Sequence, residues 1–88
     1  MNIQQLRYLH EIARCGLNVS EAAASLFTSQ PGVSKQVRLL EEDLGISVFE
    51  RSGKRLTGVT EPGRQVLEIV ARMLQDAARA VRLVRARA

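Results

Sequence analysis

Aromatic side chains are nearly missing: the 88 residues contain one Tyr, two Phe and no Trp. Hydrophobic residues still make up 45% of the chain, so a core must be filled by Leu, Ile, Val and Ala, which favours a mostly α fold. A single cysteine, Cys15, excludes an internal disulfide, and a single histidine, His10, leaves no Cys/His set for zinc. This usage fits a reducing, cytoplasmic setting. No stretch approaches the roughly 20 apolar residues of a membrane span, and the opening MNIQQLRYLHE lacks the apolar core of a signal peptide, so a soluble chain without membrane contact is expected. No nucleophile and base stand at credible spacing, and there is no Gly-rich phosphate loop. An enzyme is therefore not expected: no catalytic residue, no metal site and no cofactor in these residues.

What is present is positive charge. The formal net charge is +4, with a pI near 10.2, which makes a polyanion a reasonable partner. Acids and bases nearly balance over residues 1–60. The remainder carries Arg64, Arg72, Arg79, Arg82, Arg85 and Arg87 against Glu61, Glu68 and Asp76. Binding to DNA would therefore depend on local clusters in the first sixty residues, and the late arginines read as a solvated face.

Start and stop signals divide the chain. Ile3 to Cys15 places Leu6, Leu9 and Ala13 at helical spacing, with Tyr8 and Ile12 beside them, ahead of Gly16. Asn18 with Glu21 is a capping-box pattern that opens a short, alanine-rich second helix through Leu26. Ser29 then caps a third helix with Pro31 in its first turn, running to about Leu44 before Gly45. At 100° per residue, Val33, Val37, Leu40 and Leu44 form one narrow apolar stripe, and Pro31, Ser34, Lys35 and Arg38 lie opposite. Val48 to Arg51 and Lys54 to Thr57, joined by a Ser52-Gly53 turn, read as a small hairpin with a basic tip. Thr60-Glu61-Pro62 opens a last helix to about Arg85, long enough to project from so small a body. The final Val84-Arg85-Ala86-Arg87-Ala88 reads as the start of a linker.

The second and third helices, joined by a tight turn, present Gln30, Ser34, Lys35 and Arg38 outward, which is what reading a DNA major groove requires. Gln can bridge adenine, and Arg can pair bidentately with guanine. Glu41, Glu42 and Asp43 sit at the far end of the third helix, so charge directs its N-terminal half into the groove. Lys54 and Arg55 lie at the hairpin tip. The bland alternatives are a solvated helix face for Lys35 and Arg38, capping or surface roles for Gln30 and Ser34, a conformational role for Pro31, and edge protection for the hairpin cations. Arg51 can pair with Glu50 or an acid of the last helix. His10 and Cys15 read as core or boundary residues. In the last helix Leu67, Val70, Leu74, Ala77, Val81 and Val84 follow a heptad spacing, flanked by Val66, Ile69, Met73 and Ala80, and this seam points to dimerisation.

Taken together, Ala22-Ala23, Leu26, Ser29-Gln30-Pro31, Ser34, Lys35-Gln36-Val37, Leu40-Glu41, Leu44-Gly45 and Phe49-Glu50-Arg51 resemble the winged helix-turn-helix of LysR-type transcriptional regulators. Within that family, Gln5-Leu6-Arg7-Tyr8, Leu17-Asn18-Val19-Ser20, Thr28 through Arg38 and Arg51-Ser52-Gly53-Lys54 resemble the cysteine-regulon activator branch. The resemblance implies three helices with a two-stranded wing over residues 1–59, followed by a linker and dimerisation helix over 60–88. It implies a homodimer on an interrupted dyad of double-stranded DNA. By position, Gln30, Pro31, Ser34, Lys35 and Arg38 correspond to the family's major-groove residues, and Lys54 and Arg55 to its wing. Ser20, Thr28 and Ser29 correspond to phosphate contacts. The family's larger effector-sensing domain is not in these 88 residues; in this branch its ligand would be a sulfur-assimilation metabolite. For the full-length protein the resemblance implies RNA polymerase as a partner and admits a tetramer. The competing reading is a protein-interaction module, in which the heptad helix binds and the rest is a spacer.

Overall fold

The computed structural model describes residues 1–87; Ala88, the last residue of the expected 60–88 linker unit, lies outside the described residues. Helix α1 (Ile3–Arg14) starts at a full capping box that the sequence reading missed: the Gln5 N–H donates to Asn2 Oδ1 at 2.8 Å and the Asn2 N–H donates to Gln5 Oε1 at 3.2 Å. Its Leu6, Tyr8, Leu9 and Ile12 are buried on one face. The helix closes where Gly16 turns left-handed and the Leu17 N–H reaches back to the Ile12 carbonyl. Helix α2 (Val19–Ser25) opens after the expected cap Asn18, whose side chain accepts from the Glu21 N–H at 2.9 Å. Only this half of the expected capping box is formed among the described residues.

Ala22 and Ala23 are the buried positions of α2, and their small size lets the next helix approach closely. The turn out of α2 is a Schellman closure, with the Phe27 N–H on the Ala24 carbonyl and the Thr28 N–H on the Ala23 carbonyl. The left-handed position that glycine usually occupies is taken by Phe27, at φ 56° and 96% exposed. An L side chain in this conformation carries roughly 1–2 kcal/mol of strain. Since Phe27 buries almost nothing in return, Phe27→Gly is expected to stabilise the fold by up to about 1 kcal/mol. Urea unfolding would register this as a higher midpoint at unchanged slope, and a lower midpoint would reveal a hidden packing role.

Helix α3 (Gln30–Leu44) has the expected boundaries: Ser29 Oγ accepts from the Gly32 N–H, Pro31 occupies the first turn, and left-handed Gly45 ends it. Val33, Val37 and Leu40 are buried and Leu44 is half-buried, so the apolar stripe is the core face. The buried Gln5 of α1 donates to Gln36 of α3 at 3.0 Å, a polar tie between the two helices.

Strands β1 (Phe49–Ser52) and β2 (Arg55–Val59) form an antiparallel hairpin. The turn falls one residue later than expected, on Gly53-Lys54, since Ser52 pairs with Arg55 and Gly53 alone has a positive φ. A bulge between Glu50 and Arg51 on one side and Leu56 and Gly58 on the other brings Phe49 opposite Val59. Thr60 ties the wing to the last helix: its N–H donates to the Val48 carbonyl, its hydroxyl donates to the Ser47 carbonyl at 2.5 Å, and its hydroxyl oxygen accepts from the Gly63 N–H. Gly63 sits so close that a Cβ would overlap the Val48 carbonyl, a constraint no local pattern signalled.

Helix α4 (Glu61–Arg87) closes the core with its N-terminal half. Val70 is 2% exposed, and Val66, Leu67 and Leu74 pack half-buried against the cluster of Leu6, Leu9, Ile12, Val37, Leu40, Val48 and Phe49. Beyond Leu74 every described residue of α4 is exposed, so the helix projects from a body whose longest dimension becomes 49 Å against 26 and 21 Å.

Candidate nucleic-acid interface

The N-terminal half of α3 stands clear of the core. Gln30, Pro31, Lys35 and Arg38 are exposed and Ser34 is half-buried beside them, while Thr28 and Ser29 precede them at the exposed helix start. The apolar stripe fixes this orientation, because burying Val33, Val37 and Leu40 leaves the opposite side to water. Ser29 is committed to capping through Gly32. Ser20, expected to serve a phosphate, donates its hydroxyl to Gln30 Oε1 at 2.7 Å, joining the first turn of α2 to the first residue of α3.

The wing folds back toward the same face. Ser20, Gln30, Lys54 and Arg55 line one cleft of about 470 Å³, and Ser34, Arg38 and Lys54 line a smaller adjoining recess. Residues far apart in sequence, on α2, α3 and the hairpin, thus line two adjoining recesses that place Ser20, Gln30, Ser34, Arg38, Lys54 and Arg55 on one face. Lys35, Arg38, Lys54 and Arg55 pair with no carboxylate among the described residues. Thr28, Pro31 and Lys35 lie outside both recesses, on the open side of the helix.

The joint between α3 and the wing corrects two expectations. Arg51 pairs neither with Glu50 nor with an acid of α4: its guanidinium grips Glu41 through Nη2 to Oε1 at 2.7 Å and Nη1 to Oε2 at 3.3 Å. The same carboxylate accepts from the backbone N–H groups of Val48 and Phe49 at 2.7 and 3.3 Å. Glu41 is therefore a buried, neutralised strut rather than part of a phosphate-repelling end, a role left to Glu42 and Asp43, which stay exposed. Burial pushes the Glu41 carboxyl up, but the Arg51 and backbone hydrogen bonds outweigh it and hold the group below its usual value.

The expected seam on α4 is split. Leu67, Val70 and Leu74 are engaged within the chain, whereas Ala77, Val81 and Val84 are exposed. A second apolar stripe, Ile69, Met73, Ala77, Ala80 and Val84, runs along the free side, about a quarter turn away from the docked residues. The reason is that a heptad records which residues share a side but not which neighbour covers them. His10 is half-buried, and Cys15 packs at the core margin, where burial and the Glu11 charge raise its thiol above the ordinary range. Neither is positioned as a nucleophile.

A model of the lysR family of bacterial regulatory helix-turn-helix proteins matches residues 3–64. The chain is 52% identical over 85 residues to the transcriptional regulator SsuR of Burkholderia cenocepacia, covering 97% of this chain and 28% of that protein. It is 51% identical over 77 residues to the regulator CysB of Haemophilus influenzae, covering 88% and 24%. It thus spans about a quarter of the length of these relatives. Among solved structures, the CbnR DNA-binding domain in complex with DNA superimposes with a TM-score of 0.86 at 37% identity, covering 98% of this chain and 97% of that one. With helices, turn and hairpin all accounted for, the chain belongs to the lysR family of bacterial regulatory helix-turn-helix proteins.

Proposed function

We propose that this chain is the sequence-specific, double-stranded-DNA-binding unit of a cytoplasmic transcriptional regulator that controls sulfur-assimilation and cysteine-biosynthesis genes. The observation that carries the reading is the free polar and cationic strip on α3, Gln30, Ser34, Lys35 and Arg38, with the Lys54-Arg55 wing on the same face. A helix of this width enters the major groove, the wing cations reach the flanking backbone, and Thr28 and Ser29 lie beside a phosphate at the helix start. DNA in the CbnR complex supports the partner class, and the likeness to SsuR and CysB supports the sulfur branch.

In this reading residues 1–59 are the reading head and 60–88 the linker, paired with a second copy through the exposed stripe Ile69, Met73, Ala77, Ala80 and Val84, with Val81 at its margin. Two heads then meet the two halves of an interrupted dyad. The full-length protein would add a domain for a sulfur-containing effector and contact RNA polymerase. The alternative of a pure interaction module predicts self-association without affinity for a duplex.

Fluorescence anisotropy with a labelled dyad duplex, a scrambled duplex and a single strand, each across a salt series, tests the reading. Selective binding to the dyad that weakens steeply with salt is expected. Arg38→Ala should cost about 1–3 kcal/mol on the preferred duplex and relax discrimination at one base pair. Equal, weak binding to all three probes, or unaltered discrimination by the variant, contradicts it.

A further inference from the structure

We propose that Ser20 is a positioning residue that determines which base Gln30 prefers, an inference that rests on the DNA-reading role above. Ser20 lies in the first turn of α2 and Gln30 opens α3, yet the Ser20 hydroxyl donates to Gln30 Oε1 at 2.7 Å. Both side chains line the cleft closed by Lys54 and Arg55, so the bond sits inside the surface offered to DNA. A serine hydroxyl has one proton to donate. Spent on Gln30, it is not available to a phosphate oxygen, which removes the donor role the sequence suggested for Ser20.

The consequence falls on the amide. Glutamine pairs bidentately with adenine by accepting from N6 through its carbonyl while donating to N7. Here the carbonyl oxygen is engaged by Ser20, while the amide N–H groups make no hydrogen bond among the described residues and are free to donate. An edge that offers acceptors suits such a donor-first amide. Guanine presents both N7 and O6 as acceptors, whereas adenine presents N7 beside the N6 donor. The Ser20 bond therefore biases Gln30 toward guanine, a specificity exerted by a residue that need not touch a base.

The experiment uses this 88-residue chain and a duplex it selects from a randomised library, together with the set of single-base-pair variants of that duplex. Gln30→Ala identifies the pair that Gln30 reads as the one where discrimination collapses. At that pair Ser20→Ala is expected to lower the guanine-over-adenine preference by about fivefold or more, the scale of one bidentate contact. Other pairs and the salt slope should stay unchanged, and Ser20→Thr, which keeps the hydroxyl, should restore the preference. A uniform loss across all duplexes, with guanine-over-adenine preference intact at the Gln30 pair, would identify Ser20 as a phosphate contact and overturn the proposal; the salt slope stays the same in that case because a neutral hydroxyl releases no counterion. So would unaltered preference in Ser20→Ala, or failure of Ser20→Thr to restore it. If the wild-type chain enriches no duplex, the DNA-reading role itself fails, and that outcome is visible before any variant is made.

Discussion

Glu41→Ala is expected to remove about 3–5 kcal/mol of folding stability, the scale for breaking one side of a buried ion pair. The deletion strands the Arg51 guanidinium and the N–H groups of Val48 and Phe49, all of which now converge on one carboxylate. Arg51 keeps some access to water, which directs the expectation to the lower end of the range. Small domains have only about 5–15 kcal/mol in total, so a large fraction of the stability is at stake. The pH dependence follows from the direction of the Glu41 shift. A carboxyl held below its unfolded value stabilises the native state above that value, and the contribution is lost as pH falls through the lower, native-state pKa. Wild-type stability should therefore decline on acidification below the ordinary carboxylate range, and Glu41→Ala should flatten part of that decline. Denaturant melts of both proteins across acid pH supply the measurement, and parallel curves would show that Glu41 is not the group responsible.

The double change Met73→Asp with Val84→Asp should abolish pairing of two copies while leaving each copy folded. Met73 is 42% and Val84 69% exposed, so neither is needed by the core, yet both lie on the free stripe of α4. Losing the dimer converts the second half-site contact from an intramolecular event to an independent one, which should weaken binding to a dyad by about 10²- to 10⁴-fold. Affinity for an isolated half-site should be unaffected. Sedimentation equilibrium gives the oligomeric state and anisotropy the affinity. A dimer that survives the double change would place the interface elsewhere. Leu74→Asp provides the contrast: Leu74 packs against the core, so that change should lower the melting temperature of the single copy as well.

The parts of this molecule that could be read in advance are those decided within one turn of chain. Ser29 caps α3 through a residue three positions away, Gly45 ends it by its own φ, and Val33, Val37 and Leu40 align by helical period alone. Such signals specify the three helices, the hairpin and the exposed strip of α3, and with them most of the candidate interface. The one-residue error at the wing turn arose where local solutions compete, since the position of the turn follows the pairing of Ser52 with Arg55.

The sequence alone determined a small helical body with a cationic reading face and a long amphipathic tail, because capping, periodicity and charge act over a few residues. Tertiary structure decided which groups meet. Glu41 finds Arg51 across the start of the wing, Ser20 takes the Gln30 amide, Gly63 is held against the Val48 carbonyl, and Leu67, Val70 and Leu74 are spent on the chain's own core. Each of these depends on how two elements dock. Docking is a competition among all apolar faces for the same limited burial, and no stretch of sequence carries its outcome by itself.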